Sequence, residues 1–181
     1  LGGMLWAYQF GSTTDDRALA AVIDSLGYTH VVGEVTGMFA NIQIGGTMDG
    51  FLMTIDPDGL RVGLWRIGRE AAESLHSIDL YDEGTPGEDD YVRWILFAGT
   101  TDGAHPFCDP QPKGGVDVVV SGWDPERTKE QFCTVLGGPA NDAVGSVFFD
   151  SAGTPYIVGD TNQHFSPQHS SPYGYDGQGF N

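Results

Sequence analysis

Positive charge is the scarcest commodity in this sequence. Eight Lys and Arg stand against 25 Asp and Glu, a formal net charge of −17 over 181 residues. A surface this acidic repels a phosphate backbone, and no basic stripe reverses the effect, so nucleic acid is excluded as a partner. Long apolar runs are missing too. The longest fall far below the roughly 18 residues of a membrane-spanning helix, and nothing reads as a signal peptide. The opening "LGGMLWAYQF" has no initiator Met, which reads as the interior of a longer precursor or a processed product. No Asn-x-Ser/Thr acceptor for N-glycosylation occurs. Cysteine is confined to Cys108 and Cys133. In an extracellular protein such a pair reads as a disulfide, contributing about 3 kcal/mol through its loop entropy, whereas in the cytosol it would be two unrelated buried thiols. The bridge is the favoured reading, and with the acidity it places the chain outside the cell or on its surface.

What the sequence has in plenty is glycine, 27 residues, about twice the usual share, together with aromatic and β-branched residues. That mixture favours short strands and tight turns over helices. The organisation lies in a repeat. Within "VIDSLGYTHVVGEVTG" (22–37) and "FFDSAGTPYIVGDTNQ" (148–163), Asp24-Ser25, Gly27, Val32-Gly33 and Glu34 fall on Asp150-Ser151, Gly153, Val158-Gly159 and Asp160, always 126 residues apart. A drifted copy lies between them, "SLHSIDLYDEG" (74–84) and "YVRWILFAGTTDG" (91–103), split by an acidic insertion. Gly33, Gly99 and Gly159 are then spaced by 66 and 60 residues. The second half of the unit repeats as well: "GGTMDGFLMTIDPDGLRVGLWRIG" (45–68) against "GGVDVVVSGWDPERTKEQFCTVLGG" (114–138). Asp56-Pro57 aligns with Asp124-Pro125, Trp65 with Phe132 and Gly68 with Gly137, and "GMLWAYQFG" (3–11) reads as a further copy of the last strand, with Trp6 in the aromatic place.

Each unit therefore predicts four strands, "ALAAVID", "YTHVVGEV", "GFLMTID" and "RVGLWRIG" in the first, with turns at Ser25-Leu26-Gly27 and Pro57-Asp58-Gly59. Period-two alternation, β-branched enrichment and Pro-x-Gly turns are the signals. Tandem units of four short antiparallel strands predict an all-β fold of propeller-like blades, since the rival β-sandwich does not repeat its sequence. The expected division is 1–11 as the last strand of a preceding blade, 12–68 as repeat 1, 69–138 as repeat 2 with its insertion, and 139–181 as a partial repeat 3. About three units are too few for a closed ring of four or more blades, so the reading is an incomplete ring or a segment of a larger array. Open strand edges invite pairing with other copies or neighbouring blades.

"DSLGYTHVVGEVTG", "GG..D.F" and "IDPDG....W..G", in that order, resemble the seven-bladed β-propeller (SBBP) repeat family. The resemblance covers nearly the whole chain, best over 12–68 and well over 141–163; 69–113 departs from it. It implies the propeller fold and says less about function.

No enzyme signature is present: no Gly-x-Ser-x-Gly, no His-Glu-x-x-His, and no phosphate-cradling glycine loop that opens a helix. Of His30, His76, His105, His164 and His169, His30 matches Tyr156 in the third repeat, which fits packing better than metal ligation. His105 with Cys108 has no second pair for a zinc site. Asp15-Asp16 matches Asn141-Asp142, with Glu73 at the Asp16 place. Asp56-x-Asp58-Gly59 looks like part of a calcium loop, but calcium takes six to eight oxygens and the EF-hand pattern is incomplete, so turn hydrogen bonding is preferred with calcium as the alternative. Glu88-Asp89-Asp90 reads as a solvated tip. The variable loops carry Phe165, Tyr173 and Tyr175, which can stack on a glycan or fill gaps between blades; "HFSPQHSSP" (164–172) is open to O-glycosylation. No catalytic, cofactor or metal residue is assigned. The expectation is a non-catalytic extracellular structural or adhesive module, with a glycan- or calcium-binding module as the alternative and an enzyme with its site in a propeller channel behind both.

Overall fold

The computed structural model describes residues 3–39, 45–68, 71–84, 92–103, 108, 114–124 and 129–161. The fold is all-β, and no helix occurs among the described residues. Ten strands form three open antiparallel sheets. In the first, β1 (Asp16–Ile23), β2 (Thr29–Val35), β3 (Asp49–Ile55) and β4 (Arg61–Ile67) lie side by side in chain order. The second repeats the arrangement with β5 (Glu73–Glu83), β6 (Val92–Thr101), β7 (Asp117–Asp124) and β8 (Lys129–Leu136). The third pairs β9 (Asp142–Phe149) with β10 (Pro155–Thr161).

Alternation along the strands sends side chains to opposite faces, and here both faces are used. Leu52 on β3 and Val32 on β2 join Leu75, Ile95, Phe97, Val119 and Trp123 in a core between the first and second sheets. Leu96, Ala98, Val118 and Val120, on the opposite face of the second sheet, meet Val144 and Val147 of the third. The sheets thus stack face to face, and the relation recurs: β5 lies against β1, β2 and β3, and β9 lies against β5, β6 and β7. Trp65 of β4 packs on Trp123 of β7 with ring centroids 5.2 Å apart. Cys108 and Cys133 form a disulfide with Cα atoms 4.5 Å apart, tying the β6–β7 connection to β8 beside the first of these cores.

A bulge also recurs. Register slips between Ala18 and Ala20, between Leu75 and Ser77, and, in the third sheet, opposite the step from Val158 to Gly159. Each slip faces one of the three repeated glycines, and explains them. A Cβ at Gly33 would strike the Arg17 carbonyl, at Gly99 the Ser74 carbonyl and at Gly159 the Ala143 carbonyl. The extra bulge residue turns a backbone oxygen into the space a side chain would need.

Two expectations differ from the structure. Residues 3–11, read as the last strand of a preceding blade, make no strand pairing among the described residues, although Trp6, Tyr8 and Phe10 cover the outer face of the first sheet, on Val31, Val35, Phe51 and Met53. A single strand with no neighbour beside it has no ladder to join. The ladder also revises one alignment: Leu52 faces Trp65, whereas Val120, its counterpart, faces Thr134 rather than Phe132. The two aromatic rings lie over different glycines, Trp65 over Gly63 and Phe132 over Gly122, so ring position is set by where a side chain is missing.

Candidate functional site

The acids singled out in the sequence fall into two structural sets. The first closes turns. Asp24 Oδ1 accepts the Leu26 and Tyr28 amides at 3.0 and 2.8 Å, Asp56 Oδ1 those of Asp58 and Leu60 at 3.0 and 2.8 Å, and Asp150 Oδ1 those of Ala152 and Thr154, both at 2.9 Å. In each turn a glycine three residues on, Gly27, Gly59 or Gly153, adopts positive φ, which costs nothing without a Cβ. These hydrogen bonds hold the Asp150 carboxyl below its ordinary range, the Thr154 amide first among them. At Asp56 one carboxylate oxygen is thus committed to the backbone of its own turn.

Asp24 does more. Its second oxygen accepts from Arg93 Nη1, across the sheet interface, and lies 3.2 Å from His30 Nε2. His30 Nδ1 contacts Thr54 Oγ1 at 3.0 Å. All three side chains are buried, so this Asp-His-Thr chain, which has the composition of a catalytic triad, is closed to substrate. Burial outweighs Asp24 and lowers the His30 pKa below 6.5, so the ring is neutral and structural. In the third repeat Tyr156 Oη reaches back to Asp150 Oδ2 at 3.2 Å: two different side chains at one position fasten the same turn.

The second set lies at the joints between sheets. Asp49 begins β3 and Glu73 begins β5; both are 0% exposed. Asp49 Oδ2 accepts the Gly45 amide at 2.8 Å and lies 3.5 Å from Arg66 Nη1. Glu73 Oε1 accepts from Thr101 Oγ1 at 3.2 Å. The remaining oxygens, Asp49 Oδ1 and Glu73 Oε2, have no hydrogen-bond partner. They face one point, since a Cβ on Gly68 would collide with both. The Glu73 amide donates to the Met48 carbonyl at 3.1 Å, and a parallel bridge joins Met48 to Ala72. The next joint also brings two acids together, but there the facing Asp142 oxygen, Oδ2, accepts the Gly138 amide at 2.9 Å. The Asp142 amide donates to the Val116 carbonyl at 2.6 Å, and a Cβ on Gly137 would strike Asp117 Oδ1 and Asp142 Oδ2. Burial raises the Asp49 pKa, and it pushes that of Glu73 up to about 7, with the Asp49 charge adding to the effect.

Sequence reasoning named Glu73 and Asp142 but neither Asp49 nor Asp117, and it did not find the facing pairs. The signal was present: an acid at the start of each third strand is followed 24 or 25 residues later by an acid at the start of the next unit. Among the described residues no group of three His, Cys, Asp or Glu is placed to hold a metal ion. The apolar hollow between Val35, Phe39, Phe51 and Leu64 is too small to bury an organic ligand. Phe165, Tyr173 and Tyr175, with His105, His164 and His169, lie outside the described residues.

Exposed apolar side chains lie on the outer strands of the first sheet, Leu19, Ile23 and Val62, and on the third sheet. Phe148 stacks on Tyr156 at 5.2 Å, nearly parallel, and both are more than 40% exposed. Val158 continues the patch along β10, whose residues are almost all exposed. The corresponding face of the first sheet is covered by the second, and that of the second by the third. No protein-family model and no curated protein matches this sequence.

Proposed function

We propose that this chain is a non-catalytic extracellular repeat protein of propeller type, akin to the SBBP repeats it resembles, with a structural or adhesive role in a larger cell-surface or filamentous assembly. It joins other copies of itself, or neighbouring blades, through its open strand edges. One observation carries the reading: a single sheet-to-sheet relation occurs twice in succession and, among the described residues, leaves the third sheet with exposed apolar side chains and a solvent-exposed β10. A relation that repeats without closing is the geometry from which rings and filaments grow. An exposed strand edge is a template for further pairing. The disulfide, and the absence among the described residues of any helix long and apolar enough to cross a membrane, are compatible with an extracellular setting.

Light scattering over a concentration series tests this. Wild type is expected to form species larger than the 19.4 kDa chain, growing with concentration, and Val158→Lys to shift them toward monomer. A monodisperse monomer at every concentration, unchanged by the substitution, would sink the proposal.

A further inference from the structure

We propose that Glu73 is carried as a neutral carboxylic acid that donates its proton to the Asp49 carboxylate, making the joint between the first two sheets an acid-tightened contact. Two fully buried carboxylates whose unpartnered oxygens face the same point cannot both stay ionised at low cost, because desolvation and like-charge repulsion act together. A shared proton turns the repulsion into a hydrogen bond between a carboxylic acid and a carboxylate, the strong charge-assisted kind.

The surroundings decide which residue holds the proton. Asp49 has the Gly45 amide and the Arg66 guanidinium to support its charge. Among the described residues Glu73 has the Thr101 hydroxyl, for whose one proton the Gly103 carbonyl competes at 3.1 Å, and it faces the charges of Asp49 on β3 and Asp102 just beyond β6, opposed by Arg66 of β4. Its carboxyl accordingly titrates near 7 rather than 4.5. The folded chain then keeps a proton that the unfolded chain has released, so the joint is strongest in acid and weakens as pH rises from about 4.5 through 7. His30 has the opposite sign: buried and neutral, it opposes folding once pH falls below 6.5. The test must therefore compare variants rather than read one slope.

Thermal unfolding of wild type and Glu73→Gln, in EDTA from about pH 5 to 8, makes that comparison. Gln keeps the shape and supplies a neutral donor at every pH. The expected result is a melting temperature above wild type at pH 8, with the gap closing toward pH 5. A gap that does not change with pH overturns the proposal. So does a melting temperature that added calcium raises in wild type but not in Glu73→Gln, because a metal ion would then occupy the joint. If the variant does not fold, infrared spectroscopy of wild type at about pH 6, where ordinary carboxyls are ionised, decides instead. A protonated-carboxyl band that fades through pH 7 supports the proposal, and its absence overturns it.

Discussion

Gly99 sits where the neighbouring strand turns the Ser74 carbonyl into the only space a side chain could occupy. Its backbone dihedrals are not the constraint; the approach of the adjacent strand is. Gly99→Ala is expected to cost about 1–3 kcal/mol or more, as overpacking does, read as a lower urea midpoint at unchanged slope. Asp24 serves two turn amides, Arg93 and His30 at once. Asp24→Ala would leave the largely buried Arg93 guanidinium without that counter-charge and His30 Nε2 without its carboxylate, a loss of about 3–5 kcal/mol, measured in the same way. The recurrence of Asp24 and Asp150 beside glycine turns was visible in the bare sequence. That Asp24 also reaches across to Arg93, 69 residues further on, was not, because nothing in local spacing encodes contacts between units.

Strands are the scale at which the sequence was most legible. Alternation and the Asp-x-x-Gly turns located β1 to β4 to within a residue or two, since a hairpin is specified by neighbours along the chain. Residues 3–11 carry the same pattern and are not a strand, because pairing needs a partner that pattern alone does not supply. The disulfide follows a similar logic: two cysteines set the only intramolecular pairing available, and the tertiary fold places their Cα atoms 4.5 Å apart. Reducing it is expected to lower stability by about 3 kcal/mol, seen as a fall in melting temperature with reductant that a Cys108→Ser/Cys133→Ser chain no longer shows.

At the scale of the whole molecule, a charge of −17 loads the compact state with self-repulsion that salt screens. Raising sodium chloride from about 0.01 to 0.15 M, where the screening length contracts from roughly 30 to 8 Å, is expected to raise the melting temperature. Glu73→Gln, which leaves the surface charges untouched, is expected to keep most of that salt response; its loss would mean that the joint rather than the surface carries the strain. By itself the sequence determined the all-β character, the hairpins of the first sheet with their turns, and the cysteine pair, properties that rest on residue type and on neighbours along the chain. Only the tertiary structure decided that the sheets stack face to face, that the repeated glycines yield to bulge carbonyls, and that Asp49 meets Glu73 in a buried joint. Those contacts join one unit to the next, and their energies come from burial and desolvation, which exist only once the sheets have closed on one another.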